Sequence, residues 1–246
     1  MTTTKNINGL NILLVDDESF VRKVNATVFS GLTGSDVLES DSARHALAVL
    51  KTKPIDLMVT DIQMPEMNGL ELMKEIRCGR AGIAADLPIL VITSFSNTEV
   101  LGSSMGLDVN GFLVKPLSPK NALEKINKAI NERITLRTEL TYDRVMTNLQ
   151  SLSDSTDNQK QGNVNAAISM SRADTDSSRD NQNKWIEVSS GGLRPGMQLV
   201  DDIHTRDGRV LLTTGQVLTD SMINRIHELH SVIAMGKFRV LPPQTD

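Results

Sequence analysis

The chain has 246 residues, with 26 lysines and arginines against 30 acids, a net charge of −4, and 39% hydrophobic residues. Aromatic residues make up only 3%, too few for a platform that stacks single-stranded nucleic acid, and the acidic balance offers no general attraction to phosphate backbones or anionic membranes. A single cysteine, Cys78, excludes an internal disulfide and a cysteine metal cluster. No run approaches the ~18 apolar residues of a membrane span and no apolar leader follows Met1, so a cytoplasmic protein without membrane insertion is expected.

Taken in order, Asn11-Ile12-Leu13-Leu14-Val15 is an apolar run ending in acids, as a strand buried on both faces reads. A weaker strand, Asp36 to Glu39, follows. Ile55 to Thr60, Ile89 to Thr93 and Gly111 to Val114 are further strands. Helical periodicity fills the gaps: Phe20 to Phe29, Ala43 to Leu50, Gly69 to Cys78, Thr98 to Gly106, and Pro119 onward. The alternation predicts an α/β domain over residues 8–138, a doubly wound five-stranded parallel sheet with helices on both faces. Leu123, Ile126, Ile130 and Ile134 keep one apolar helix face, which Leu140, Val145, Met146 and Leu149 prolong without an intervening Gly or Pro. The fifth helix is therefore expected to run on toward residue 150, as a simple overrun, a lever or a dimer seam.

Residues 151–184 collapse into Ser, Asp, Asn and Gln, a composition that buries too little apolar area to offset its ordering entropy. A disordered polar linker is expected there, open to proteolysis. Order returns at 185–241 in a small β-rich α+β unit. Trp185 to Val188 alternates like a strand, and Met197 to Ile203 and Arg209 to Leu212 flank an Asp207-Gly208 hairpin turn. Thr219 caps a helix from Asp220 to His230, and Phe238 to Leu241 closes the sheet. So short a unit is near the lower limit for independent folding and should lean on a partner. From Lys184 on, seven bases face seven acids and one helix stands alone, which excludes a basic stripe or a helix-turn-helix, and hence DNA binding. His227 and His230 stand three apart, not the four of a zinc-protease helix, and read as a solvated face.

Acids and polar groups cluster at strand ends: Asp16 and Asp17 after the first strand, Asp61 after the third, Thr93 at the end of the fourth, Lys115 after the fifth. In a doubly wound sheet these ends line one crevice. Crowded carboxylates raise one another's pKa unless a cation joins them, and a hard divalent ion with Lys115 beside it resolves the repulsion. The set suits a carboxylate nucleophile attacking a phosphoryl group, with Lys115 and Thr93 meeting the transferring oxygens. Each acid taken singly is equally an ordinary helix cap.

The segments Leu13-Leu14-Val15-Asp16-Asp17-Glu18, Thr60-Asp61-Ile62-Gln63-Met64-Pro65-Glu66-Met67-Asn68-Gly69, Val91-Ile92-Thr93-Ser94 and Phe112-Leu113-Val114-Lys115-Pro116 resemble the CheY-like, flavodoxin-like receiver domain of two-component response regulators. The resemblance implies that Asp61 is the phosphoacceptor and that Mg²⁺ sits on Asp16, Asp17, Asp61 and the backbone carbonyl of Gln63. It also implies that Thr93 and Phe112 form a switch pair and that a cognate histidine kinase or phosphotransfer protein supplies the phosphoryl group. Such a domain is a phosphoacceptor rather than an enzyme. A homodimer through the fourth helix, fifth strand and fifth helix is expected. Two features depart from the family: the loop from Arg77 to Asp86 is longer than the fold needs, and Gly102 weakens the fourth helix by ~1 kcal/mol against Ala. That helix is read as a switch element or simply a poor helix. The C-terminal unit, through Leu193-Arg194-Pro195-Gly196-Met197-Gln198-Leu199 and Gly215-Gln216-Val217-Leu218-Thr219, is similar to small modules beside HD-GYP, HDOD or diguanylate cyclase domains. The expected function is therefore a response regulator signalling through protein contacts of that module. The alternatives are a phosphate sink or a regulator of an enzyme of cyclic-di-GMP metabolism.

Overall fold

The computed structural model describes residues 6–80, 82–94, 98–150, 185–234 and 236–243. Five strands, β1 (Ile12–Val15), β2 (Val37–Ser40), β3 (Leu57–Asp61), β4 (Ile89–Thr93) and β5 (Gly111–Val114), pair in parallel in the order β2-β1-β3-β4-β5. β1 is buried throughout and β3 and β4 at all but their last residues, whereas the edge strand β2 is partly exposed, which explains why only β2 lacks a continuous apolar run. Alternate residues build two cores. Ile12, Leu14, Leu57, Val59, Leu90 and Ile92 face α1 (Ser19–Thr33) and α5 (Pro119–Asn131). Leu13, Val15, Met58, Ile89, Val91 and Phe112 face α2 (Ala43–Thr52), α3 (Gly69–Arg77) and α4 (Thr98–Gly106). The expected sheet is the observed one.

The fifth helix does not run on to residue 150. It ends at Asn131: Glu132 turns into extended backbone (φ −83°, ψ 125°), and its carboxylate pairs with Arg225. The chain then crosses to the other face of the sheet. There Arg137 and Tyr142 meet the carboxylate of Asp108, and a short α6 (Glu139–Asp143) is held by Arg80, which pairs with Glu139 and Asp143. Lys74 donates to the carbonyl of Val145 and Asn68 to that of Thr147. Leu140 and Met146 are exposed, whereas Val145 and Leu149 pack against the core of α2, α3 and α4, so these positions do not continue one face of α5. The long loop after α3 serves the same region: Arg77 is buried and donates to the carbonyls of Ala85, Leu87, Leu107 and Asp108, while Arg80 holds α6.

The polar stretch 151–184 lies outside the described residues. Beyond it, β6 (Ile186–Ser189), β10 (Lys237–Leu241) and β7 (Gln198–Leu199) form an antiparallel sheet, and β8 (Ile203–His204) pairs with β9 (Val210–Leu212) across the hairpin containing Gly208 at φ 84°. The strands expected over Met197 to Ile203 are thus split, β7 joining β10 and β8 joining β9. The helix α7 (Asp220–Glu228) starts at Thr219, whose hydroxyl accepts from the Met222 amide. This β-rich region is not free-standing: β9 and α7 pack on α4, and their apolar side chains belong to the same core as α2, α3 and α4.

Candidate functional site

Strand ends β1, β3 and β5 deliver the three acids and the lysine to one place. Asp16, Asp17 and Asp61 each offer a carboxylate oxygen within 4.8 Å of the others. Asp16 is buried, Asp61 half-buried and Asp17 exposed, so the cluster opens outward past Asp17. Asp61 is fixed at both oxygens: Oδ1 accepts from the Ile62 amide at 2.9 Å and Oδ2 meets Lys115 Nζ at 3.1 Å. The Lys115 amide in turn donates to the Thr93 carbonyl at 2.9 Å, which ties the ends of β4 and β5 together beside the acids. The Lys115–Pro116 peptide is cis.

Asp16 carries the strongest electrostatic signal. Its Oδ1 accepts from the Glu18 amide at 2.9 Å, but its buried Oδ2 has no hydrogen-bond partner among the described residues. Burial pushes its pKa up, and repulsion from Asp61 and Asp17 adds to that against the Glu18 amide and Lys115. An orphaned, buried carboxylate oxygen facing two further carboxylates is a donor set that a hard, oxygen-seeking divalent cation satisfies. The cluster therefore fits Mg²⁺ chemically. Arg22 reinforces the wall by donating to the Asp16 carbonyl at 2.6 Å and pairing with Glu39 at 3.3 Å.

The other residues singled out from the sequence fall around this cluster. Thr93 ends β4 half-buried, paired in register with Val114, and Phe112 is buried on β5 opposite Val91. Gln63 lies exposed two residues beyond Asp61. Gly69, the last residue of the segment that begins at Thr60, is a positioning residue. It opens α3 so close to the end of β3 that a Cβ there would overlap the Asp61 carbonyl oxygen. The readable signal was the capping box before it: the Asn68 side chain accepts from Glu71 N, and Glu71 reaches back to the Asn68 amide. His227 bonds to the Ser190 carbonyl and His230 to that of His227, as the solvated reading expected, but neighbouring Glu228 is mostly buried among cations.

Residues 12–127 match the family model for the response regulator receiver domain. The chain is 35% identical over 126 residues to the chemotaxis protein CheY-3 of Vibrio cholerae, covering 51% of this chain and 95% of that protein. It is 32% identical over 122 residues to a chemotaxis CheY homologue of Campylobacter jejuni, covering 49% of this chain and 92% of the relative. Among solved structures, a receiver protein of Pseudomonas putida is similar at 32% identity and a TM-score of 0.44, over 49% of this chain and 97% of that one.

Proposed function

Because this chain belongs to the response regulator receiver family, a family of phosphoacceptors rather than classical enzymes, we propose that it is a cytoplasmic response regulator phosphorylated on Asp61. The observation that carries this reading is the Asp61 carboxylate held between the Ile62 amide and Lys115, beside the unpaired buried oxygen of Asp16. One oxygen of Asp61 attacks phosphorus and forms a new O–P bond. The bond from phosphorus to the donor's leaving atom breaks, and its electrons and a proton stay with the donor. Lys115 neutralises charge on the transferring oxygens and the Thr93 hydroxyl donates to one of them. Asp16, Asp17, Asp61 and the Gln63 carbonyl would hold Mg²⁺, which when bound would offset the charge of the acids and of the phosphoryl group. The Ile62 amide keeps the Asp61 carboxyl oriented throughout. Thr93 and Phe112 act as the switch pair that reads the modified Asp61.

The donor is a histidine kinase or phosphotransfer protein. Residues 8–138 are the receiver and 185–241 an output module that acts on protein and not on DNA. Its bases support that: Arg225 is buried, Lys237 pairs with Glu187, Arg239 with Asp201 and Arg209 with Asp207. An enzyme of cyclic-di-GMP metabolism is the partner class implied by the module's resemblance. A phosphate sink with an inert tail fits less well, because the tail shares a core with α4.

Acetyl phosphate with Mg²⁺ is expected to label the full chain, and Asp61→Asn or a chelator to abolish the label. Lys115→Ala should slow labelling by roughly 10²–10³, the cost of losing one donor to transition-state charge. Persistent labelling of Asp61→Asn sinks the assignment.

A further inference from the structure

The segment that leaves α5 and crosses the sheet grips α3 along its length. Arg80, just past the end of α3, pairs with Glu139 and Asp143. Lys74 Nζ, within α3, donates to the Val145 carbonyl at 3.1 Å. At the start of the helix, Asn68 Nδ2 donates to the Thr147 carbonyl at 2.9 Å. Apolar packing anchors the same segment: Tyr142 is fully buried, and Val145 and Leu149 pack against the core of α2, α3 and α4. Residues 137–149 thus form a strap that reaches the N-cap of α3.

Asn68 does two separate things there. Its Oδ1 caps the helix, accepting from the amides of Leu70 at 2.9 Å and Glu71 at 3.0 Å. Capping needs only that oxygen, and Ser or Asp serves about as well as Asn. The side-chain amide N–H goes instead to the strap, and neither Ser nor Asp carries one.

From Asn68 the route to the acidic cluster is short. Gly69, next in sequence, donates its amide to the Ile62 carbonyl at 2.9 Å and lies against the Asp61 carbonyl oxygen. The Ile62 carbonyl also accepts from the Met64 amide at 3.2 Å, which closes the turn that carries Gln63. The Ile62 amide orients Asp61 Oδ1. A shift of Asn68 therefore moves the backbone at Ile62 and Gln63 with it. We propose that the strap is a positioning element for the acidic cluster and that Asn68 is the residue through which it acts, keeping the Ile62 amide and the Gln63 carbonyl in place for a divalent cation. This deepens, and rests on, the reading of Asp16, Asp17, Asp61 and Gln63 as the Mg²⁺ pocket of a phosphoacceptor. Linkage is reciprocal, so Mg²⁺ tightens the docking of the strap by the same factor that docking tightens the pocket.

Calorimetric titration with Mg²⁺ and amide hydrogen exchange on the full chain test this, and neither needs phosphorylation. Asn68→Ser keeps a capping oxygen opposite Glu71 and loses the donor to Thr147. It is expected to bind Mg²⁺ roughly tenfold more weakly, the low end of the loss when a group that orients metal ligands is removed. Val145→Ala loosens the strap with Asn68 intact and should weaken Mg²⁺ binding in the same direction. In the wild type, Mg²⁺ should slow exchange of the Thr141, Tyr142 and Val145 amides, which are hydrogen-bonded within the strap, by about the same tenfold factor. Asn68→Ser should abolish that slowing. Wild-type Mg²⁺ affinity in Asn68→Ser, or exchange in the strap that ignores Mg²⁺, would overturn the proposal. Weak binding in Asn68→Ser with wild-type binding in Val145→Ala would overturn it too, because the effect would then belong to the helix cap. If Asn68→Ser does not fold, Val145→Ala and the wild-type exchange decide the matter. A wild type that binds no Mg²⁺ would overturn the pocket reading and the strap together. Intact Mg²⁺ effects in a chain that acetyl phosphate does not label on Asp61 would instead overturn the phosphoacceptor reading and leave the strap standing.

Discussion

Replacing Asp108 with alanine is expected to lower the unfolding free energy by about 3–5 kcal/mol, the scale for breaking a buried ion pair by removing one partner. The Asp108 side chain is fully buried, and both of its oxygens are used. Oδ2 accepts from Arg137 Nε at 3.0 Å and from the Tyr142 hydroxyl at 2.9 Å, and Oδ1 accepts from Thr219 at 2.8 Å. Arg137 also lies over the Tyr142 ring, 4.9 Å from its centroid. Burial, followed by the nearby Asp108 charge, raises the Tyr142 pKa, so the phenol stays a donor. Removing the carboxylate takes the acceptor from a cation, a phenol and a hydroxyl at once, the first two from the segment around α6 and the third from the start of α7. Backbone strain adds to the alanine effect, because Asp108 sits at φ 49°, where aspartate is tolerated better than alanine. Asp108→Gly separates the two contributions: it removes the strain but not the orphaned partners, so most of the loss should remain. Urea denaturation of the three proteins measures this. A glycine variant as stable as the wild type would show that the carboxylate network contributes nothing.

The second large effect is expected at Gly69. In an open helix, glycine to alanine gains up to ~1 kcal/mol. Here the added Cβ would overlap the Asp61 carbonyl oxygen and press on Ile62 Cα at 3.0 Å, so the sign reverses. Relief by moving α3 or the end of β3 should cost about 1–3 kcal/mol, as overpacking does. The same shift displaces the Ile62 amide that orients Asp61, so labelling should fall with stability. Thermal unfolding and acetyl phosphate labelling of Gly69→Ala test both halves. A variant more stable than wild type would refute the close approach.

The receiver frame was legible because each of its parts is locally encoded. Buried strands read as unbroken apolar runs, helices as 3.6-residue periodicity, and the site as acids and a lysine at strand ends. The packing of the C-terminal region on α4 was not legible, because its determinants look like defects when read locally. Gly102 scores as a weak point in α4 and becomes a contact surface only once Leu211 is beside it. Arg225 counts as one more surface base, yet it is fully buried. The end of α5 carries neither Gly nor Pro at Glu132, and the helix stops where that carboxylate meets Arg225 and Asn224. Asp108 is equally silent, since its three partners lie 29, 34 and 111 residues away. Contacts of that range cannot be inferred from spacing.

Borohydride trapping tests the central assignment most directly, because it reads the chemistry at a single atom. Hydride reduces an acyl phosphate, releasing phosphate and leaving an alcohol, so a phosphorylated aspartate is converted to homoserine. After incubation with acetyl phosphate and Mg²⁺, peptide mass spectrometry is expected to find that conversion at Asp61 alone, and none once Asp61 is replaced by asparagine. Conversion at Asp16, Asp17 or another carboxylate, or none in a chain that is labelled, would contradict the account.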